Sequence, residues 1–529
     1  MQTKANMEKI AEEVQEVSTF RRILPQILAT FAKNLIIFNL GEFFAISSIV
    51  ISSLNGSCIY LNPDETLLVT PAQTSWLSSF AHIAHPIGSL LSGPICDKIG
   101  RRKAILFVTI PLAITWIILG LSHSFPLICV CFAMIGFCMG LKEAPSVTYV
   151  SEISEPMVRG PMSIIAVMCY NFGVFIVTGL ALTLSWRQIA LVCALFPCSC
   201  FLAVLFIPES PSWSILNDKQ NDAQAALQWL RGWVSPQTIY DEFKRLQSYS
   251  DTSSSCKPCS KSAVKCQHPK PTFLDKIKEL NRKRSLKPFI LISCLHFFYE
   301  FCAIIVWQPY IIQVIKAFGV PLNANLTLLI NAGLGMPASI LLISTVKKLG
   351  RRFLYITSSS IVTLCSFGLG IYGYVFCPPG WSSFQDNPEE APIKYNYIRS
   401  VVGDYGYLAL ALILVMQFAT KIGVSGLPHI YVSEVFPLKS RTFLCGIVTA
   451  NQYVVAAIAT KTYYNVETWL SLPGAIIFYG IISLTGLIVM YNILPETEQR
   501  SLEDIELHFS DNKKGITDIY ISKNSKTIE

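Results

Sequence analysis

The run Asp97-Lys98-Ile99-Gly100-Arg101-Arg102 returns 250 residues later as Lys347-Lys348-Leu349-Gly350-Arg351-Arg352, and each copy separates two long apolar segments. A short basic turn that recurs at half-length in an apolar chain implies an internally duplicated membrane protein. Lys and Arg translocate poorly, so both turns mark the cytoplasmic side. Two similar halves in a membrane place a solute path between them.

Composition agrees. Of 529 residues, 52% are hydrophobic and 14% charged, and the mean hydropathy is +0.47. Soluble domains carry roughly 25% charged residues. The net charge of +8 lies mainly in loops assigned to the cytoplasm, so it gives no reason to expect a nucleic-acid partner. The expected partners are the lipid bilayer and a small-molecule solute, with no obligate protein partner evident. The 17 cysteines fall mostly in apolar spans and read as small buried hydrophobes rather than a disulfide framework. Cys58 and Cys377 fall in outer loops.

A spanning helix needs about 20 apolar residues. Twelve such segments are predicted, at 28–52, 74–96, 103–121, 126–148, 161–184, 188–207, 288–314, 325–346, 353–376, 405–432, 443–464 and 472–494. The fold class is therefore an all-α membrane protein, with twelve transmembrane helices in two six-helix halves. The domains are a cytoplasmic N-terminal tail (1–27), a first half (28–207), a cytoplasmic linker (208–287), a second half (288–494) and a cytoplasmic C-terminal tail (495–529). In the linker, Asp222 to Leu230 has helical spacing, whereas Ser248 to Pro271 has a disordered composition. The acceptor sequences at Asn55 and Asn325 fall at outer boundaries and are candidate glycosylation sites, which agrees with both termini being cytoplasmic.

The ordered motifs make the resemblance specific. They are Gly93-Pro94-Ile95-Cys96-Asp97 leading to Arg101-Arg102; Tyr149-Val150-Ser151-Glu152 with Arg159; Pro208-Glu209-Ser210-Pro211; Tyr431-Val432-Ser433-Glu434 with Arg441; and Pro495-Glu496-Thr497. The chain resembles the sugar porter branch of the major facilitator superfamily, and Val69-Thr70-Pro71, Ser75-Trp76 and Thr460-Lys461-Thr462 resemble its facilitated trehalose transporters. The resemblance implies alternating access: two halves rock about a central site and carry trehalose or a hexose across the plasma membrane without a cofactor. It also implies a cytoplasmic gate network of Asp97, Arg101, Arg102, Glu152, Arg159, Glu209, Arg351, Arg352, Glu434, Arg441 and Glu496. Arg matches a carboxylate bidentately, and pairs between the halves would close the inner side. Lys347 stands where the pattern expects an acid, so the second network is expected to be the weaker.

The sugar-contacting positions depart from the family. Its paired Gln on helix 7 becomes Tyr299-Glu300, its helix 10 Trp becomes His429, and its helix 11 Asn-Trp becomes Gln452-Tyr453. Val167 and Phe132 stand where the family has a Gln and an Arg. Ionisable residues at membrane depth are functional candidates, because an unpaired charge there costs several kcal/mol. Glu42, Glu300 and Lys421 join Tyr299, His429, Gln452 and Tyr453 as candidate substrate contacts. Lys142 and Glu143 read either as functional or as solvated at the end of helix 4. Cys256, Cys259, Cys266 and His268 have zinc-ligand chemistry in a low-complexity loop, and the reading is a linker rather than a metal site. No nucleophile triad, phosphate loop or paired catalytic carboxylates stands out, so an enzyme is not expected. The alternatives kept open are a proton-coupled or non-sugar carrier of the same fold and a non-transporting sugar sensor.

Overall fold

The computed structural model describes residues 18–55, 67–155, 158–254, 283–384, 391–436, 441–498, 500, 502–510, 517–519 and 521. Twelve spanning elements are present among them, labelled α1 to α12. In the first half these are α1 Thr19–Leu54, α2 Pro71–Ile99, α3 Arg101–Gly120, α4 Phe125–Ile153, α5 Arg159–Leu180 and α6 Trp186–Leu205. In the second half, α7 is broken into Lys283–Glu300, Ala303–Val306 and Ile311–Ala317. It is followed by α8 Ala324–Leu349, α9 Arg351–Phe376 and α10, which runs through Gly406–Ala419, Thr420–Val424 and Gly426–Val435. One continuous run, Arg441–Ile493, holds α11 (441–470) and α12 (472–493), turned at Ser471 by a φ of 61°.

Local chemistry sets these ends. Thr70 and Gln73 cap each other reciprocally at the start of α2, at 3.3 and 2.9 Å, and Pro71 pre-sets the first helical φ. Ser185 and Gln188 form the same box before α6. Cys302 leaves the helical region, with ψ 130°, and so interrupts α7; Pro309 then lies in a short 3-10 turn. Side chains on one face of α3 remain exposed, at 56% for Phe107, 52% for Ile110 and 52% for Ile114, as a lipid-facing surface requires.

The tails are more structured than expected. Nine residues of the expected tail, 19–27, belong to α1, whose N-terminal end is tied down by Arg22 on Glu155 at 2.7 Å. The linker forms helices Pro211–Leu216, Gln220–Leu230 and Tyr240–Ser254, so the expected disorder from Ser248 does not begin there. Arg231 holds this layer by pairing with Glu242 at 2.6 Å and Glu155 at 3.3 Å. Leu502–Ser510 docks through buried Ile505 and Phe509. Cys58, the remaining stretch to Pro271 and the zinc-type residues lie outside the described set.

The halves meet along two seams. On α2 and α11, Ser75 Oγ donates to the Lys461 carbonyl at 3.0 Å, and Ser89 Oγ to the Gly446 carbonyl at 3.1 Å. On α5 and α8, Asn171 Nδ2 donates to the Gly335 carbonyl at 3.2 Å and to Ser339 Oγ at 2.9 Å. Hydroxyl and amide groups hold these seams, and such bonds exchange readily for others when two bodies move.

Candidate functional site: a central cavity and two charged inner networks

A cavity of about 30 Å³ lies where α1, α5, α7, α8 and α10 converge. Phe44, Asn171, Gln308, Asn331, Gln417 and Lys421 are among its lining residues. Small-molecule sites usually enclose roughly 300–1,000 Å³. In this conformation the halves are closed on too little space for a sugar, so occupancy requires them to separate.

One turn from the lining residue Ile304, Glu300 begins a polar layer. Its Oε1 accepts from Gln452 Nε2 at 2.8 Å across α7 and α11. Tyr453 stacks on the His85 ring with centroids 3.4 Å apart, and Glu300, Tyr299 and Glu143 lie within its electrostatic reach. Tyr299 lies beside Ser425. His429 sits 6.3 Å from His296, ring to ring. Lys421 places its ammonium 5.0 Å from the Tyr170 ring centroid. Six of the seven expected contacts are thus gathered around the centre. Glu42 is the exception. Its carboxylate is fully buried beside Cys193 of α6 and is not among the lining residues, although Ala45, one turn along α1, is.

Sequence reading passed over four buried polar residues, His82, His85, Lys33 and Glu467. His82 and His85 continue a stripe with Ser75, Ser78, Ser89 and Ser92 on the α2 face toward α11; its steps of three and four were a legible signal. Lys33 is buried on α1 and donates to the Ser146 carbonyl at 3.1 Å. Lys142 is 3% exposed and pairs with Glu143 at 2.6 Å, which rules out the solvated reading. Glu467, also fully buried, accepts from Ser382 Oγ at 2.8 Å and from Ser383, and so ties α11 to the outer loop after α9.

The charged motifs form two networks at the inner ends. In the first half, Glu209 accepts from the backbone amides of Arg101 and Arg102, both at 2.9 Å, and so caps α3. A carboxylate suits the positive end of a helix. Gly100 makes this approach possible, because its φ is 99° and an added Cβ would lie 2.4 Å from the Glu209 carboxylate. Arg101 grips Glu152 at 2.9 Å, with Asp97 at 3.8 Å, and Glu152 also receives Ser210. Arg102 Nη2 donates to the Leu205 carbonyl at 2.6 Å.

The second half repeats the plan. Glu496 accepts from the amides of Arg351 and Arg352 at 3.1 and 3.0 Å, beside Gly350 with φ 83°. Arg351 pairs with Glu434 and, at 3.0 Å, with Glu498. Arg352 Nη2 reaches the Tyr491 carbonyl at 2.6 Å. Tyr149 and Tyr431 donate to the Pro208 and Pro495 carbonyls at 2.8 and 3.0 Å, one in each half. Two expectations change. Every contact named here lies within one half, so in this conformation the networks brace each half internally rather than bridging the two. Glu498 supplies the acid that Lys347 withholds, so the second network is not short of a carboxylate. The side chains of Arg159 and Arg441 lie outside the described set.

Asn55 ends α1, whereas Asn325 is 8% exposed and its Nδ2 donates to the Ala181 carbonyl at 3.3 Å. The amide of Asn325 is turned into the seam between the halves, which corrects its expectation as a glycan acceptor.

Two six-helix halves, each closed at its inner end by the same glycine-and-carboxylate cap, surround a small polar cavity. This is the architecture of a membrane carrier with the major facilitator fold, not of an enzyme. The sequence model of the family described as "Sugar (and other) transporter" matches residues 26–509, and the chain belongs to that family. Among curated relatives, facilitated trehalose transporter Tret1 of Polypedilum vanderplanki is 25% identical over 486 residues, spanning 92% of this chain and 88% of the relative. Its counterpart in Apis mellifera ligustica is 26% identical over 489 residues, spanning 92% and 89%. Among solved structures, the proton:xylose symporter XylE bound to 6-bromo-6-deoxy-D-glucose superposes with a TM-score of 0.68 at 18% identity, covering 92% of this chain and 99% of that one. A partially occluded, inward-open XylE gives 0.65 at 18% identity, covering 91% and 99%. These structures establish the likeness of fold.

Proposed function

We propose that this protein carries a sugar, trehalose or a hexose, across the plasma membrane by alternating access and facilitated diffusion. The observation that carries this reading is the polar and aromatic layer shared between the halves. The Glu300–Gln452 pair offers hydrogen-bonding groups to hydroxyls, and Tyr453 offers a ring face to an apolar sugar surface. Two contacting halves separated by a small cavity support the rocking motion. The inner networks would set its bias: each fixes the inner ends of its own half as a rigid body, so that the halves move as units.

Uniport is favoured over proton coupling because Glu42, where proton-coupled sugar porters carry an acid, faces Cys193 rather than the cavity. The relatives named facilitated transporters support the same choice. The test is uptake of labelled glucose and trehalose into proteoliposomes with and without an imposed proton gradient. Saturable uptake of either sugar that ignores the gradient, and that survives Glu300→Gln, is expected. Uptake that needs the gradient and disappears in Glu300→Gln would replace uniport with coupling.

Both termini are proposed to be cytoplasmic. A single glycan, lost in Asn55→Gln and kept in Asn325→Gln, is the expected gel-shift result. An epitope after residue 529 that stains intact cells would reverse the orientation.

A further inference from the structure

Among the described residues, the central cavity has one charged lining residue, and it is a cation. Lys421 sits in the Thr420–Val424 segment of α10, where the backbone opens into a π turn: Ser425 N–H donates to the Thr420 carbonyl at 2.8 Å, five residues back. Such turns concentrate at functional sites, because the inserted residue re-aims the helix face. Here the re-aimed residue lines the cavity.

Lys421 is 9% exposed, and its one named partner among the described residues is the Tyr170 ring. A ring face attracts an ammonium but accepts no hydrogen bond in the ordinary sense, and the ammonium has three donors to place. The buried carboxylates that could have neutralised it are engaged or distant. Glu300 holds Gln452, Glu143 holds Lys142, and Glu42 is buried beside Cys193, outside the cavity lining. A buried charge without a counter-charge persists at a membrane centre only for a functional reason.

The other polar groups at the cavity are amides. Asn331 Oδ1 is buried there without a hydrogen-bond partner, and Gln308 and Gln417 line the same space. Amide oxygens accept from hydroxyls, and amide N–H groups donate to hydroxyls or to a carboxylate oxygen.

We propose that the solute is a sugar bearing a carboxylate, with Lys421 receiving the carboxylate while the amides hold the hydroxyls. The proposal rests on the reading of this protein as a sugar transporter and, within sugars, replaces the neutral trehalose or hexose by a sugar acid. A neutral hexose satisfies the amides and leaves the buried ammonium without a counter-charge. An amino sugar adds a second cation. A sugar acid completes the site.

The test uses the full-length protein in proteoliposomes, with counterflow of labelled glucuronate and labelled glucose and with unlabelled glucuronate, glucose and glucosamine as competitors. The expected order is glucuronate ahead of glucose by about tenfold or more in half-saturating concentration, a difference of ~1.4 kcal/mol, with glucosamine weakest. The second readout is the ratio itself. It should fall to about one in Lys421→Gln and persist in Lys421→Arg, each checked for a monodisperse elution peak. Equal or reversed affinities in the natural protein, or a tenfold preference that survives Lys421→Gln, would overturn the charge assignment while leaving sugar transport standing. Should monodisperse natural protein exchange neither labelled sugar, the transport reading falls, and this one falls with it.

Discussion

In the first half, Arg101 is held by Glu152 at 2.9 Å with Asp97 at 3.8 Å; in the second, Arg351 is held by Glu434 and by Glu498 at 3.0 Å. Asp97 belongs to the turn itself, four residues before its arginine. Glu498 comes from the segment after the last span, and Lys347 occupies the place of Asp97. What both halves share is narrower than the motif: a glycine in the left-handed region, a carboxylate on the next helix's amides, and an arginine between two acids. The comparison teaches that the second acid is fixed in space but not in sequence. A charged site needs opposite charge within a few ångströms, and any nearby backbone segment can deliver it.

The harshest way to break the comparison is to fill the glycines. Gly100→Ala or Gly350→Ala forces a side chain into a strained backbone region, at a cost of ~1–3 kcal/mol. It also drives Glu209 or Glu496 off the helix amides, losing hydrogen bonds to a charged group worth ~1.5–3 kcal/mol each. Both variants should lower the detergent melting temperature and abolish most uptake. Natural melting and uptake in either variant would show that the cap is dispensable.

Next come the arginines. Removing one partner of a buried pair costs ~3–5 kcal/mol because the other charge is left without a counter-charge. Arg101, whose side chain is 6% exposed, sits deeper than Arg351 at 13%. Arg101→Gln should cut uptake by about tenfold or more, with Arg351→Gln somewhat milder. Surface biotinylation should fall less than uptake in both, because the brace is confined to one end of one half. Variants that transport normally, or whose uptake loss is matched by loss from the surface, contradict this.

A double substitution sharpens the contrast. Glu498→Ala should lower uptake severalfold, whereas Lys347→Asp alone should change little while Glu498 is present. Combined, Lys347→Asp should recover much of the loss by restoring the first half's arrangement. Losses that simply add would show that position 347 cannot stand in for the acid.

The smallest effect belongs to Asp97→Asn. Its carboxylate is 47% exposed and 3.8 Å from Arg101, a geometry worth under ~1 kcal/mol. Uptake within about twofold of the natural protein is expected. A tenfold loss would place Asp97 in the network as a principal partner rather than a peripheral one.

The sequence by itself determined the class of fold, the number of spans and the paired charged turns at one end of each half. Apolar runs of bilayer length must be helices, because no water is present to satisfy a non-helical backbone. Tyr299, Glu300, His429, Gln452 and Tyr453 became candidates through the resemblance, by alignment with the family's sugar-contacting positions, and not through hydropathy or spacing. Only the tertiary structure decided which way side chains at similar depth point. Glu42 and Lys421 read alike, as charges inside spans, yet rotation of α1 turns Glu42 toward Cys193, and a π turn in α10 brings Lys421 to the cavity. The same holds for Glu498 and for Asn325, whose partners lie 147 and 144 residues away in the chain. Hydropathy and spacing encode depth and local periodicity. Helix rotation, a shifted backbone turn and the approach of distant segments arise only when the twelve helices pack.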